Sequence, residues 1–372
     1  MKIKNVRATP VRVPVTRVGT YSSKTRKLTH VLSTIVEIET ECGAIGLGET
    51  RYLWPTPIIN ERFAPILKNM HVFDRRAAFQ ACVPMHFDYG YPERACEVTA
   101  WAGVDMALWD LLGQHTGQPI FRLLGGPVRE RALFTGYAYA PDLEQGIAVS
   151  HVPETVAQIA SQQVDDYGIK LFEFKIGRHS LECDIATVQA VRASVGNHVD
   201  LAVDVNMGFT VEQTRRFLHG VRDYRLANIE EPVTGLANID RLRTEFDVPM
   251  STHDYNLDAL QAHQHIDALV SDITLHGGFE PIIETMIRVN ALGKRFWQRA
   301  RWELGITWAA MCHLGIARPE LDRPSQSVIY FLEDDLIEGE TWMVQNGGVR
   351  PPELPGLGIT LDRTALARYA VD

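Results

Sequence analysis

Apolar positions along the chain repeat with two different periods, and the change from one mixture to the other divides it. The opening MKIKNVRATPVRVPV alternates as a strand does, and residues 32–39 (LSTIVEIE) alternate again before the turn-rich GAIGLGET at 43–50. Trp101, Val104, Ala107, Leu108 and Leu111 then fall at helical spacing, with Gly113 placed as the expected C-cap. Residues 1–125 therefore predict an α+β domain.

From about residue 130 short apolar runs alternate with amphipathic ones. Residues 171–175 (LFEFK), 200–205 (DLAVDV) and 227–231 (ANIEE) predict strands, and further strands fit 249–252, 267–272, 294–298 and 327–332. Between them, Ile185, Val188, Val191 and Val195 form a helix face that stops at Gly196, and Thr210 with Gln213 forms a capping box. Repeated strand–helix units imply a parallel sheet, and a count near eight favours a closed α/β barrel over an open doubly wound sheet. No GxGxxG follows the first strand to support the open form. The predicted organisation is an α+β capping domain at 1–125, a barrel at 126–340 and a C-terminal segment at 341–372 that returns to the cap.

Composition narrows the setting. The chain has 372 residues, 45% hydrophobic and 22% charged, with a net charge of -9. That is ordinary globular composition, long enough for two domains. Its acidity and the lack of a basic stripe argue against nucleic acid as a partner. No run of about 18 apolar residues predicts a membrane span, and the N-terminus lacks a signal-peptide core. Five scattered cysteines without a CxxC pair read as reduced thiols, and cytoplasmic location is expected.

The chemistry lies in the polar residues at the predicted strand ends. Successive strands end at Asp204-Val-Asn206, at Glu230-Glu231, at His253-Asp254 and at Ser271-Asp272. In a parallel barrel these ends meet at one mouth. Carboxylates gathered there repel one another and raise each other's pKa unless a hard divalent cation joins them, and oxygen ligands favour magnesium over zinc. Each acid also has an ordinary alternative, as the cap of the helix that follows. Lys175 ends an earlier strand, where it is either a proton-abstracting base or an ion-pair partner of Asp204. Glu173, two residues earlier, faces the same way.

These residues resemble the enolase superfamily, in its mandelate racemase and muconate lactonizing branch. AWAGVDMALWDLLGQHTGQPIFRLLGG at 100–126, GAIGLGE at 43–49 and LPGLGI at 354–359 are similar to that family's signatures, and FKIG, DVN, IEEP and SD follow in the family's order. The resemblance covers nearly the whole chain. It implies a modified TIM barrel of the (β/α)7β kind under a capping domain. It also implies Mg2+ held by Asp204, Glu230 and Asp254, with His253 as the rival third ligand, and Lys175 as the base that removes a proton next to a carboxylate.

Two departures bear on function. The first lysine of the family's Lys-x-Lys is Glu173 here. The segment 299–319 resembles the glucarate dehydratase subgroup, yet the usual histidine partner of Asp272 is Arg299. Arg299 stays protonated, so it is expected either to bind a carboxylate or to pair with Glu173, and Asp272 is a catalytic candidate that polarises Arg299 or the substrate. Glu333 is a candidate proton donor or a surface acid. Asn206, Glu173, Tyr21 and Arg26 are candidate substrate contacts; the last two share an early polar loop with Lys24, where relatives place a specificity flap. His313 is expected in the core. The expected activity is a lyase that dehydrates a sugar acid. The alternatives are a racemase or epimerase, or a binding protein that keeps the fold without turnover. The expected partners are a small-molecule carboxylate substrate and further copies of the chain in a homo-oligomer.

Overall fold

The computed structural model describes residues 1–16, 21–23, 26–83, 92–141, 146–339 and 341–371. The N-terminal alternation becomes a long antiparallel sheet. Strand β1 (Ile3–Pro14) leads through a small hairpin of β2 (Tyr21–Ser23) and β3 (Arg26–Leu28) to β4 (His30–Thr40) and β5 (Ile45–Arg51). The sheet order is β1-β4-β5, with Val11 opposite Ser33 and Ile35 opposite Glu49. A helix over Pro92–Thr116 packs its apolar positions on this sheet, with Trp101, Val104, Ala107, Leu108 and Leu111 all buried.

The expected C-cap at Gly113 lies instead inside that helix, which runs on to Thr116. The glycine answers a tertiary demand. A Cβ at Gly113 would stand 2.4 Å from the Cα of Gly356, so the missing side chain admits the C-terminal segment.

The signature residues join the domains. Asp110 accepts from the backbone N–H of Leu47 at 2.9 Å and of Leu357 at 2.8 Å, which ties together the three segments that carry the signatures. Glu49 accepts from the N–H groups of Leu304 at 3.1 Å and Thr307 at 2.8 Å, capping the barrel helix Gly305–Ala317 from the other domain. Asp105 does the same for the helix Phe279–Ala291 through Phe279 N at 2.8 Å. Burial holds Glu49 and Asp105 up at about 7 and Asp110 at about 6, above the usual carboxylate range.

The short pair β6 (Ala132–Leu133) and β14 (Gly348–Val349) is antiparallel. Seven parallel strands then curl round one core: β7 (Gly136–Ala138), β8 (Leu171–Lys175), β9 (Asp200–Asp204), β10 (Leu226–Glu230), β11 (Met250–Thr252), β12 (Ala268–Ser271) and β13 (Arg295–Gln298), neighbours in that order. Helices on their outer side bury both faces, hence the runs of apolar residues where an open strand would alternate. The helix Leu181–Val195 ends at Gly196 in the left-handed region, and both halves of the Thr210–Gln213 capping box are formed.

The eighth position departs from expectation. Residues 327–332 do not form a strand; Ile329–Phe331 is a short 3-10 turn. The gap is bridged just before it. Ser325 N donates to Leu133 O and Thr135 N to Ser325 O, both at 2.9 Å, and Gln326 N donates to Gln298 O at 2.9 Å. The C-terminal segment runs back to the cap, where Val11 and Ala370 form a bridge.

Candidate active site

Sheet register assembles the site. Lys175 stands opposite Asp204, and Asp204 opposite Glu230, so three strand-ending side chains form a row. Glu230 stands opposite Ser251, and the two-residue period of a strand carries that face on to His253. Lys175 is ion-paired with Asp204. His253 Nε2 lies 2.6 Å from Glu230 Oε1. Asp204, Glu230 and His253 offer ligand atoms that all lie within 4.8 Å of one another. Asp254, expected as the third ligand, is exposed, and its Oδ1 accepts from Asn256 N at 3.0 Å at the start of the next helix. It falls on the opposite strand face from His253.

The backbone around the row is strained. Asn206, Met207 and Glu231 adopt φ of 47°, 60° and 43°, a region that non-glycine residues enter at a cost. Glu231 is held there by its own carboxylate, which accepts from Thr252 Oγ1 at 2.7 Å and His253 N at 2.5 Å. Glu231 thereby fixes the histidine's backbone. This role was visible beforehand only as the second acid of IEEP. Gln326, which no motif marked, donates through Nε2 to Glu173 Oε1 at 2.8 Å and to Glu230 Oε2 at 2.7 Å. Glu173 therefore pairs with neither Arg299 nor the cavity. It sits two residues deeper in the barrel, 2% exposed.

The charges in this row oppose one another. Burial lifts Asp204 to about 6 against the pull of Lys175, and burial raises Glu230 as well. Burial, then Glu230 and Asp204, push Glu173 far up. Burial would lower Lys175, but Asp204 and Glu230 outweigh it and hold the ammonium above its ordinary value. Burial and Arg299 drop His253 to about 4, so its imidazole is neutral near pH 7 with a lone pair to offer. Two buried carboxylates and a neutral imidazole, balanced by one lysine, make a donor set that fits a divalent cation.

Above the row lies a cavity of about 220 Å³, lined by Tyr137, Tyr139, Lys175, Asn206, His253, Arg299, Arg301 and Trp302 from the barrel and by Leu32, Arg51 and Tyr52 from the cap. The Tyr139 and Trp302 rings stack at 5.2 Å, and Tyr137 lies 5.8 Å from Lys175 Nζ. Asp272 is paired with the cavity's Arg299 and Arg301. Its Oδ2 accepts from Arg299 Nη2 at 3.0 Å and Arg301 Nε at 2.6 Å, and its Oδ1 from Thr274 Oγ1 at 2.5 Å and Leu275 N at 2.9 Å. Burial would raise this carboxyl, but Arg299 and Arg51 outweigh it and hold it below its ordinary value.

Other candidates lie elsewhere. Glu333 is exposed in a separate acidic cleft with Asp334 and Asp335, and its backbone N–H donates to Pro14 O. His313 is fully buried, accepting from Phe121 N and bonded to Leu357 O, as a core residue. The side chains of Tyr21 and Arg26, and the whole of Lys24, lie outside the described residues.

The mandelate racemase / muconate lactonizing enzyme N-terminal domain profile matches residues 5–125, and the enolase C-terminal domain-like profile matches residues 155–365. The chain belongs to the mandelate racemase and muconate lactonizing enzyme family of the enolase superfamily. Its curated relatives in that family include dehydratases and epimerases. It is 26% identical to the arabinonate dehydratase of Saccharolobus solfataricus, over 90% of this chain and 89% of that protein. It is also 26% identical to the hydrophobic dipeptide epimerase of Enterococcus faecalis, over 97% of this chain and 100% of that protein. A crystal structure of an enolase from Thermobispora bispora, complexed with magnesium and formate, matches at a TM-score of 0.87 and 24% identity. It covers 99% of this chain and 92% of that one, a likeness of fold.

Proposed function

We propose that the chain is a magnesium-dependent hydro-lyase that dehydrates a sugar acid, with Lys175 as the base. The observation that carries this reading is Lys175 at the cavity floor, ion-paired to one member of the buried Asp204, Glu230 and His253 cluster. Mg2+ held by those three residues would supply the positive charge that stabilises an enediolate.

The side chains can account for the proton. With Asp204 engaged by a dication, Lys175 loses the partner that keeps it protonated, and its pKa falls. The neutral amine takes the proton from the carbon next to the substrate carboxylate, and the electron pair left behind moves into the carboxylate. The β-hydroxyl then leaves as water, taking the proton that Lys175 has just gained on the same face. The enol that remains tautomerises to a 2-keto acid. Tyr137, Tyr139 and Trp302, which line the cavity, would exclude water from the reacting carbon, and Asn206, also in the lining, would contact a substrate hydroxyl.

The epimerase reading needs a second proton carrier across the substrate. Among the described residues of the cavity, Arg299 and Arg301 are bound to Asp272, and a guanidinium does not exchange protons near pH 7. Lys175→Met tests the assignment. In deuterium oxide with magnesium and a sugar-acid library, the wild type should exchange the α-proton and release a keto acid. The variant should bind and do neither. A variant that still exchanges the proton removes Lys175 as the base. Exchange by the wild type without dehydration would favour the epimerase.

A further inference from the structure

Gln326 stands where the barrel closes. Its backbone N–H donates to Gln298 O at 2.9 Å, and the N–H of Ser325 before it donates to Leu133 O at 2.9 Å. On the other side, Ser327 Oγ donates to Glu303 Oε1 at 2.7 Å and accepts from Ile329 N at 3.1 Å. The chain is pinned before, at and after Gln326, and the residue is 2% exposed. Gln326 is not part of the cavity wall, so its influence on the site passes through the side chains it holds.

Both ends of its amide are engaged. Nε2 donates to Glu230 Oε2 at 2.7 Å and to Glu173 Oε1 at 2.8 Å, and Oε1 accepts from Ala300 N at 3.3 Å. A primary amide has two N–H donors, and here each meets one carboxylate oxygen. The reverse orientation would set the amide oxygen against two carboxylate oxygens and its N–H groups against the N–H of Ala300, so the partners fix which end is which. The other oxygen of Glu230, Oε1, lies 2.6 Å from His253 Nε2. One carboxylate is therefore divided. Oε2 is held by the barrel closure, and Oε1 faces the cluster of Asp204, Glu230 and His253.

We propose that Gln326 is a positioning residue for the divalent cation: by holding Glu230 Oε2 it presents Oε1 as the single ligand oxygen, and it stands between Glu230 and Glu173. The assignment rests on the reading of Asp204, Glu230 and His253 as the cation's ligands and adds what orients the second of them. A buried carboxylate oxygen that loses its donor is left as a costly unpaired acceptor, and the carboxylate is free to turn. Hydrogen-bond partners behind a ligand change metal affinity by about 10–100-fold.

Calorimetric titration of chelator-treated protein with Mg2+ tests this. Gln326→Met keeps the length of the side chain without its amide and should bind Mg2+ about ten-fold or more weakly than the wild type. Adding Glu173→Gln to Gln326→Met returns an amide donor beside Glu230 and should recover part of the loss, whereas a packing defect would not respond. Wild-type affinity in Gln326→Met overturns the proposal, and so does a weakening that Glu173→Gln leaves untouched. A structure of the magnesium-loaded wild type gives a test without any variant. Glu230 should meet the cation through Oε1 with Oε2 still on Gln326; both oxygens on the cation overturn the proposal. If the wild type binds Mg2+ at the cluster and Gln326→Met binds it equally well, the cluster reading stands and only the role of Gln326 falls. A wild type that binds no Mg2+ overturns the cluster reading and the proposal together.

Discussion

At the residue scale, parity decides the cluster. His253 and Asp254 are neighbours, and chemistry alone favours the carboxylate as an oxygen ligand. The strand period overrules this. Ser251 faces Asn228 inside the barrel, their side chains 2.9 Å apart, and His253 shares that face while Asp254 does not. Counting back from Thr252 would have found it. Glu173 illustrates the complementary error. Its parity with Lys175 was right, but two residues of strand put it about 6–7 Å deeper, below the cavity. The expected consequence is a contrast between neighbours. His253→Ala should weaken divalent-cation binding by about ten-fold or more, the size seen when a ligand set is disturbed, whereas Asp254→Asn should leave it nearly unchanged. Equilibrium titration with Mg2+ measures both. Equal effects would mean that the cation does not use the Asp204, Glu230 and His253 set. Because an imidazole is a softer donor than a carboxylate, Mn2+ should bind the wild type at least as tightly as Mg2+ in the same titration.

At the element scale, the glycines and acids of the signatures work across domain boundaries. Gly356 has φ of 69°, and a Cβ there would stand 2.0 Å from Asp110 Oδ1. Backbone strain and the clash act together, so Gly356→Ala should cost at least about 2 kcal/mol of stability. Urea unfolding reads this directly; a loss under about 0.5 kcal/mol would show that the C-terminal segment can shift away from the Pro92–Thr116 helix. Helices and strands were legible wherever periodicity ran long, as with the helix that stops at Gly196 and the capping box at Thr210. The Gly113 stop and the 327–332 strand were not. Gly113 resembles a local C-cap but is a point of close approach, and the eighth barrel position is bridged by Ser325 and Gln326, too few residues for a strand pattern to register.

At the scale of the whole molecule, cap and barrel are joined by buried carboxyls that titrate near neutrality. Glu49 and Asp105 cap barrel helices from the other domain, and Asp110 ties the cap to the C-terminal segment. Their folded pKa values, about 7, 7 and 6, all lie above the ordinary values of 4.5, 3.8 and 3.8. A raised carboxyl means that the folded state binds more protons than the unfolded one. Its contribution is therefore complete below about pH 4 and is lost as pH rises through 6 to 7. For Glu49 the loss is on the order of 3 kcal/mol. With magnesium saturating, thermal stability should fall between pH 5.5 and pH 8 through this contribution. Glu49→Gln should flatten part of that slope while lowering the plateau by about 1–3 kcal/mol, since its amide meets one of two N–H donors with another donor. A Glu49→Gln protein with the wild-type slope would remove this junction as its source.

The amino-acid sequence by itself determined the division into cap and barrel, the order of strands and helices, and which strand ends carry acids, a lysine and an arginine. These follow from periodicity and composition over a few residues, a local code. Tertiary structure alone decided which of those groups meet. Register across β8, β9 and β10 aligned Lys175, Asp204 and Glu230; closure through Gln326 joined Glu173 to Glu230; and the fold at the end of β13 gave Arg299 to Asp272 instead of Glu173. Partner choice of this kind depends on how sheets register and close over tens to hundreds of residues, and no local pattern carries that distance.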